Sequence, residues 1–219
     1  MSLSAARVVI PLVYVAGLLL PPSVWAAQVR YVIEPVAEMR VRELPKCPLY
    51  WRVENFPTLD QAKAAASKYR WNPDAVSYDG WPSMTAEVAD KAWLLTLGPK
   101  GASTRGGTKV AEIGPLPPLS ASEYLLRVNH GSGPPGATTP THSHSGSEAF
   151  YVIAGKLGQR TLHGIAYVES GHTMNGHMAG MPMEVFNAGT ADLDALIMFV
   201  VDADKPFSVP AKFAAERAN

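Results

Sequence analysis

The stretch from residue 136 to residue 155 reads GATTPTHSHSGSEAFYVIAG, with two histidines, a glutamate and two end glycines at fixed intervals. Gly136 is followed after five residues by His142, which is one residue before His144. Glu148 follows after three more residues and Gly155 after another six. Side chains at i and i+2 of an extended segment point to one face, so both imidazoles share a face. Glu148 has the same parity and rejoins that face once the intervening Ser-Gly-Ser turns the chain. Two imidazoles and a carboxylate on one face predict a site for a first-row transition metal.

This spacing resembles the first sequence motif of the cupin superfamily at all five of its fixed positions. The resemblance implies an all-β double-stranded β-helix, the jelly-roll type of barrel. It also implies that His142, His144 and Glu148 bind one metal ion, that a small-molecule ligand or substrate enters the barrel mouth, and that the chain forms a homodimer. The donor set admits Fe, Mn, Ni, Zn and Cu, so the identity of the ion stays open.

The second cupin motif ends in Pro-x-Gly-x-x-His-x-x-x-Asn, and its histidine is the last metal ligand of the family. Here Gly180 and Asn187 stand at the expected positions, but Met183 occupies the ligand position and Met178 replaces the proline. A thioether is a soft, neutral ligand that favours copper, above all Cu(I). Three alternatives stay open: Met183 binds the ion, the two histidines and the glutamate bind it alone, or His177 supplies a ligand.

The segment from residue 171 to residue 183 holds four of the eight methionines and two of the six histidines of the chain. One interpretation is a soft-metal loop for copper capture or sensing. The other is an apolar rim packed over the barrel mouth, because methionine adapts to irregular gaps. The apolar rim is favoured, since gap filling is the commoner role of methionine.

The N-terminal segment predicts export. Arg7 precedes an uncharged apolar run over residues 8–20, prolines break the run, and small residues occupy the cleavage positions before and at Ala26. This order is typical of a secretory signal peptide, here residues 1–26, and a spanning helix needs about 20 apolar residues. The expected location is therefore secreted or periplasmic, with no membrane contact after cleavage. An uncleaved anchor is the alternative, because the next charge is Arg30.

Composition narrows the classes of partner. Without residues 1–26, 193 of 219 residues remain, with 18 basic and 19 acidic side chains, because only Arg7 is charged in the removed part. This balance gives no electrostatic footprint for nucleic acid or for an anionic membrane. The single cysteine, Cys47, has no partner for an intramolecular disulfide. It is expected to be a buried thiol or to pair with another chain.

Short apolar runs between Pro- and Gly-rich turns predict the strands of the barrel. These runs are residues 92–97, 109–113, 124–128, 149–153, 164–169 and 193–201. The apolar run over residues 195–201 does not alternate, which predicts that both of its faces are covered. Residues 155–158 have the composition of a hairpin turn. One helix is predicted over residues 59–68, because Thr58 and Gln61 form a capping box before a stretch rich in Ala and Lys.

The predicted organisation is a signal peptide (1–26), an N-terminal extension packed on the barrel (27–89), a cupin barrel (90–205) and a C-terminal tail (206–219). The predicted function is metal-dependent and dioxygenase-like, on a small oxygenated organic molecule. Glu148 is the catalytic candidate, because a carboxylate that leaves the metal can act as a base. The alternative is a non-catalytic envelope protein that binds copper or a small ligand.

Overall fold

The structure is a computed structural model that describes residues 30–68 and 81–213. Its elements in chain order are β1 (Val32–Val41), β2 (Tyr50–Phe56), α1 (Leu59–Lys68), β3 (Ser83–Val88), β4 (Lys91–Gly98), β5 (Thr108–Ile113), β6 (Tyr124–Gly133), β7 (His142–His144), β8 (Gly146–Ala154), β9 (Lys156–Thr161), β10 (Gly164–Glu169), β11 (Thr173–Asn175), β12 (Met183–Asn187), β13 (Leu193–Asp202) and β14 (Ser208–Pro210). The predicted all-β class with one short helix is confirmed for these ranges. The predicted signal peptide lies outside them.

Three antiparallel sheets build the molecule. The middle sheet has the strand order β1-β6-β13-β8-β11, and the front sheet has the order β10-β9-β12-β7-β14. These two five-stranded sheets face one another and form the predicted double-stranded barrel. The back sheet has the order β3-β4-β2-β5.

The middle sheet is covered on both faces. One face packs on the back sheet through a cluster that includes Trp51, Trp93, Leu126 and Met198. The other face packs on the front sheet through a second cluster, which includes Phe150 and neighbouring apolar residues. Every residue of β13 except Asp194 is buried, so the prediction that both faces of this run are covered is confirmed. The site residues therefore lie beside an apolar cluster in the barrel interior.

The back sheet carries the helix on its outer face. Phe56, Ala92 and Leu94 pack there against Ala62 and Ala65 of α1. The helix begins as predicted, because the backbone N–H of Gln61 donates to Thr58 Oγ1 at 3.2 Å. None of the helices in the described ranges has the length and apolarity needed to cross a membrane.

Strand pairing crosses both boundaries of the predicted barrel region. β1 precedes residue 90 and pairs with β6 along the middle sheet, while β14 follows residue 205 and pairs with β7 in the front sheet. β3 and β4 lie on either side of the first boundary and pair with one another. The extension and the tail thus supply strands to the same sheets as the region between them.

The prediction of a hairpin at residues 155–158 is wrong. β8 pairs with β11 and β13, whereas β9 pairs with β10 and β12, so the two strands belong to different sheets. Gly155 has a φ of 78° and redirects the chain from the middle sheet to the front sheet. A Cβ here would lie 2.5 Å from the carbonyl oxygen of Asp192, so this corner requires glycine for space as well as for conformation.

Candidate metal centre

The site residues come from three strands of the facing middle and front sheets. β7 carries His142 and His144, β8 carries Glu148, and β12 begins with Met183. Met183 and His142 are direct partners in the β12–β7 pairing. His144 and Glu148 are buried, and the His144 Nε2 atom lies 3.9 Å from Glu148 Oε2. His144 and Glu148 thus lie close together, but they do so across two facing sheets, because β7 belongs to the front sheet and β8 to the middle sheet.

Backbone carbonyls fix the tautomer of both histidines. His142 Nδ1 lies 2.8 Å from the carbonyl oxygen of Pro140, and His144 Nδ1 lies 2.7 Å from that of Phe207. A carbonyl oxygen only accepts, so each neutral ring carries its hydrogen on Nδ1 and keeps a lone pair on Nε2. Metal-binding histidines are oriented by this kind of second contact.

Glu148 is a buried carboxyl with little compensation for its charge. Its Oε1 accepts a hydrogen bond from Gln159 Nε2 at 2.5 Å, and in the described part of the chain no Lys or Arg forms an ion pair with it. Burial raises the pKa of Glu148 to about 8, and the Gln159 hydrogen bond partly opposes that rise. Without a cation nearby, this carboxyl holds its proton at neutral pH.

His144 is held in an apolar, aromatic environment. Its ring packs against Phe199 and Phe207 at centroid distances of 4.8 Å each. Burial lowers the pKa of His144 to about 4, although the hydrogen bond to the Phe207 carbonyl opposes the shift. The imidazole is therefore neutral at physiological pH, which is the form that binds metals.

The donor types of His142, His144 and Glu148 suit a transition metal, but only His144 and Glu148 are already placed to bind one ion. A metal lies about 2.1 Å from nitrogen and oxygen ligands, so the separation of 3.9 Å between His144 Nε2 and Glu148 Oε2 is short enough for one ion to bond both. The His142 and His144 rings, however, meet edge to face at 84°. Across residues 30–68 and 81–213, no three His, Cys, Asp or Glu side chains hold a ready-made metal site. His142 is half-buried and is the ligand that would have to turn.

Met183 lies beside this site, fully buried. Its sulfur is 3.6 Å from Gln159 Nε2, so one amide contacts both the thioether and the Glu148 carboxylate. The proposed role of Met183 as a ligand stays a prediction. His177 is half-buried on the segment before β12, where burial, followed by the charge of His163, lowers its pKa.

The methionine-rich segment, residues 171–183, closes one end of the site. Its first part, β11, pairs with β8, and the backbone N–H of Gly180 donates to the carbonyl oxygen of His144 at 2.8 Å. Gly176 lies so close to the main chain of Glu148 that no Cβ would fit. Met174 packs on the interior cluster, whereas Met178 is 61% exposed. The segment thus contacts the site at Gly176, Gly180 and Met183, while much of its remainder, including the Met178 thioether, is exposed.

Sequence reasoning missed Gln159 and Phe207. Gln159 is 1% exposed, and its Oε1 has no hydrogen-bond partner among the described residues. The only signal for it was a single amide in the short strand that follows Gly155. Phe207 acts through its carbonyl, 63 residues from His144, and nothing in a local pattern points to such a contact.

Comparison with known proteins gives structural likeness at low identity. No protein-family model and no curated protein sequence matches this chain. DMSP lyase DddQ from Ruegeria pomeroyi DSS-3 superposes with a TM-score of 0.36 at 21% identity, over 42% of this chain and 45% of that one. Bacillus subtilis oxalate decarboxylase, studied for its Mn(II) centres, gives a TM-score of 0.35 at 23% identity, over 39% of this chain and 23% of that one.

An oxalate oxidase in complex with the substrate analogue glycolate gives a TM-score of 0.33 at 24% identity, over 38% of this chain and 45% of that one. The chain spans less than half the length of each of these three structures. The fold assignment rests on the topology of this chain itself, two facing five-stranded antiparallel sheets with the first motif between them. Two facing antiparallel sheets of this kind are the double-stranded, jelly-roll type of barrel that the resemblance of the motif to cupins implies, and the fold of this chain is a jelly-roll barrel.

Proposed function

We propose that this protein binds one transition-metal ion through His142, His144 and Glu148 and catalyses a dioxygenase-like reaction on a small oxygenated organic molecule. The observation that carries the proposal is the proximity of two Nδ1-anchored imidazoles to a buried carboxyl that forms no ion pair with a Lys or Arg of the described residues. A buried carboxylate is costly unless a cation compensates it, and a metal ion is the cation that imidazole nitrogens also bind.

Each residue has a distinct role in the proposal. A bound ion of this class would act as a Lewis acid toward a substrate oxygen. His144 is held by the Phe207 carbonyl and is packed between two aromatic rings. These contacts fix the orientation of the ring, and its Nε2 would be the atom that binds the ion. Gln159 holds one oxygen of Glu148. If Glu148 is released from the ion, its raised pKa lets it take a proton from substrate at neutral pH.

The test is metal content by mass spectrometry on the untagged protein, both as isolated and after incubation with single metals. Stoichiometric iron, manganese or nickel that is lost in His144→Ala supports the proposal. His172→Ala is the matched control, because His172 also has its Nδ1 beside a carbonyl oxygen but is exposed. Failure to bind any of these metals, or equal loss in the control variant, overturns it.

Copper handling is a second candidate, favoured by Met183. Its thioether is 1% exposed and sits directly opposite His142. A non-catalytic envelope protein would use such a set to hold Cu(I) or a metal-bound small ligand. Met183→Leu keeps the volume and removes the sulfur, so it should weaken Cu(I) binding and leave iron or manganese binding unchanged. Met183→His should raise the affinity for iron and manganese. Undiminished Cu(I) affinity in both variants would exclude this candidate.

Export and dimerisation belong to the proposal as well. The apolar segment over residues 8–20 supports a secreted or periplasmic location, with Ala27 as the first mature residue. N-terminal sequencing of protein from the envelope fraction tests the cleavage site. An intact Met1 in a membrane fraction would support the anchor instead. Sedimentation of the mature chain tests the homodimer.

A further inference from the structure

A cavity of about 430 Å³ lies on the side of the middle sheet away from the candidate metal centre. Ser147 and Val200 form its buried floor. Strand alternation places Ser147 on the opposite face of β8 from Glu148, so the two sites do not share side chains. The volume is within the range of about 300–1,000 Å³ that is usual for small-molecule sites.

The walls of the cavity are apolar and pre-formed. They come from two segments, residues 42–49 and 116–119, that contribute several leucines and prolines. The backbone N–H of Leu116 donates to the carbonyl oxygen of Leu49 at 2.8 Å and ties the segments together. Proline fixes φ, so the four prolines of these walls limit collapse of the cavity. They are Pro45, Pro48, Pro117 and Pro118.

The rim of the cavity is positive. Arg42 and Lys46 are exposed, and neither forms an ion pair with another described residue. Glu43 is the only acidic residue of the lining, which leaves one net positive charge beside an apolar interior. Tyr124 also lines the cavity, but its hydroxyl is already used, since it donates to the Leu119 carbonyl and accepts from the Ala121 N–H.

We propose that this cavity binds a small amphipathic monocarboxylate. The hydrocarbon chain packs between the leucine walls and Val200, and the carboxylate lies at the rim beside Arg42 and Lys46. An apolar interior with a single net positive charge at its mouth is complementary to this class of molecule in shape and in charge. The site is independent of the metal centre.

Calorimetric titration with hexanoate, octanoate and decanoate tests the proposal on the mature protein. Burial of each methylene is worth about 0.8 kcal/mol, so the affinity should rise about fourfold per methylene until the cavity is full. Octan-1-ol should bind more weakly than octanoate, because it lacks the charge. Absence of measurable octanoate binding, or equal binding of alcohol and acid, overturns the proposal.

Variants locate the site. Arg42→Gln/Lys46→Gln should weaken octanoate binding about three- to tenfold, since exposed charge pairs contribute modestly. Lys100→Gln/Arg105→Gln removes the same charge from another exposed segment and should leave binding unchanged. Leu116→Trp fills the cavity and should abolish binding, whereas His144→Ala should retain it. Equal weakening by both charge variants, or full binding by Leu116→Trp, places the ligand elsewhere and refutes the assignment.

Cys47 offers a second readout at the same place. It is the only cysteine of the chain, is half-buried, and lines the cavity. Burial raises the pKa of its thiol, so alkylation is followed at alkaline pH. Saturating octanoate should slow alkylation of the native protein and should have no effect on the Leu116→Trp variant. Slowing in both proteins would contradict binding in the cavity.

Discussion

The buried carboxyl of Glu148 predicts that the metal-free protein loses stability as the pH rises above neutrality. Its pKa is about 8 in the folded chain against 4.5 for a free glutamate, so between these values the folded state holds one more proton than the unfolded state. The free energy of unfolding then falls by about 1.36 kcal/mol per pH unit. The depressed pKa of His144, about 4 against 6.5, gives the opposite slope between those two values.

The two contributions cancel between pH 4.5 and pH 6.5, and only the Glu148 contribution remains above pH 6.5. We therefore expect a nearly constant free energy of unfolding up to pH 6.5 and a loss of about 2 kcal/mol between pH 6.5 and pH 8. In Glu148→Gln the loss above pH 6.5 should vanish, and stability should instead rise between pH 4 and pH 6.5. Glu87→Gln, an exposed glutamate on β3, is the matched control and should behave as the parent chain does.

The assay is urea unfolding of chelator-dialysed protein at half-unit steps from pH 4 to pH 9. Metal binding at pH 7 should also release about one proton from Glu148, visible as a dependence of the binding enthalpy on the ionisation enthalpy of the buffer. A loss above pH 6.5 that persists in Glu148→Gln would refute the reasoning, and so would metal binding at pH 7 with no proton release.

Three further predictions concern the motif glycines, one turn and one amide. Gly136 and Gly155 both have a φ near 79°, but only Gly155 has backbone atoms where a Cβ would go. Gly136→Ala should therefore cost about 1–2 kcal/mol in urea unfolding and Gly155→Ala clearly more; equal costs would contradict this. Ala89 and Asp90 have φ values of 51° and 55° in the β3–β4 turn, so Ala89→Asn/Asp90→Gly should add about 1 kcal/mol of stability, and a lower melting temperature would count against it. Gln159→Leu removes a hydrogen bond that lowers the pKa of the buried carboxyl, so the pH of half-maximal metal binding should rise; an unchanged midpoint would show that the amide does not act on the carboxyl.

Local patterns predicted the elements whose chemistry is local. The helix over residues 59–68 follows from the Thr58 cap, and β13 follows from an apolar run without alternation. β2 was not predicted from the sequence, because the charged residues Arg52 and Glu54 interrupt its apolar pattern. Both are buried, and Thr104, some 50 residues away, donates its N–H and hydroxyl to the Glu54 carboxylate. A strand whose charges are satisfied by a distant loop has no local signature.

The site divides in the same way. The sequence motif pointed to His144 and Glu148 as neighbouring donors, although they lie on β7 and β8, which belong to two facing sheets. The orientation of His144 depends on the Phe207 carbonyl, and that of Glu148 depends on Gln159. Phe207 reaches His144 beside the β14–β7 pairing, whereas Gln159 of β9 reaches Glu148 across the two facing sheets. The sequence therefore identifies the donor residues, whereas the positions of β14 and β9 in the front sheet determine how those side chains are oriented.

The order of strands along the chain has a consequence for synthesis of the protein. The back sheet uses β2 to β5 and is complete once residue 113 has emerged from the ribosome, whereas β6 and β8 of the middle sheet flank β13 and wait for residues 193–202. Until then, the inner face of the back sheet, with Trp51 and Trp93, has no cover. Such a nascent chain exposes a large apolar surface while residues 114–202 are being made, and surface of this kind is what makes incomplete chains prone to aggregation.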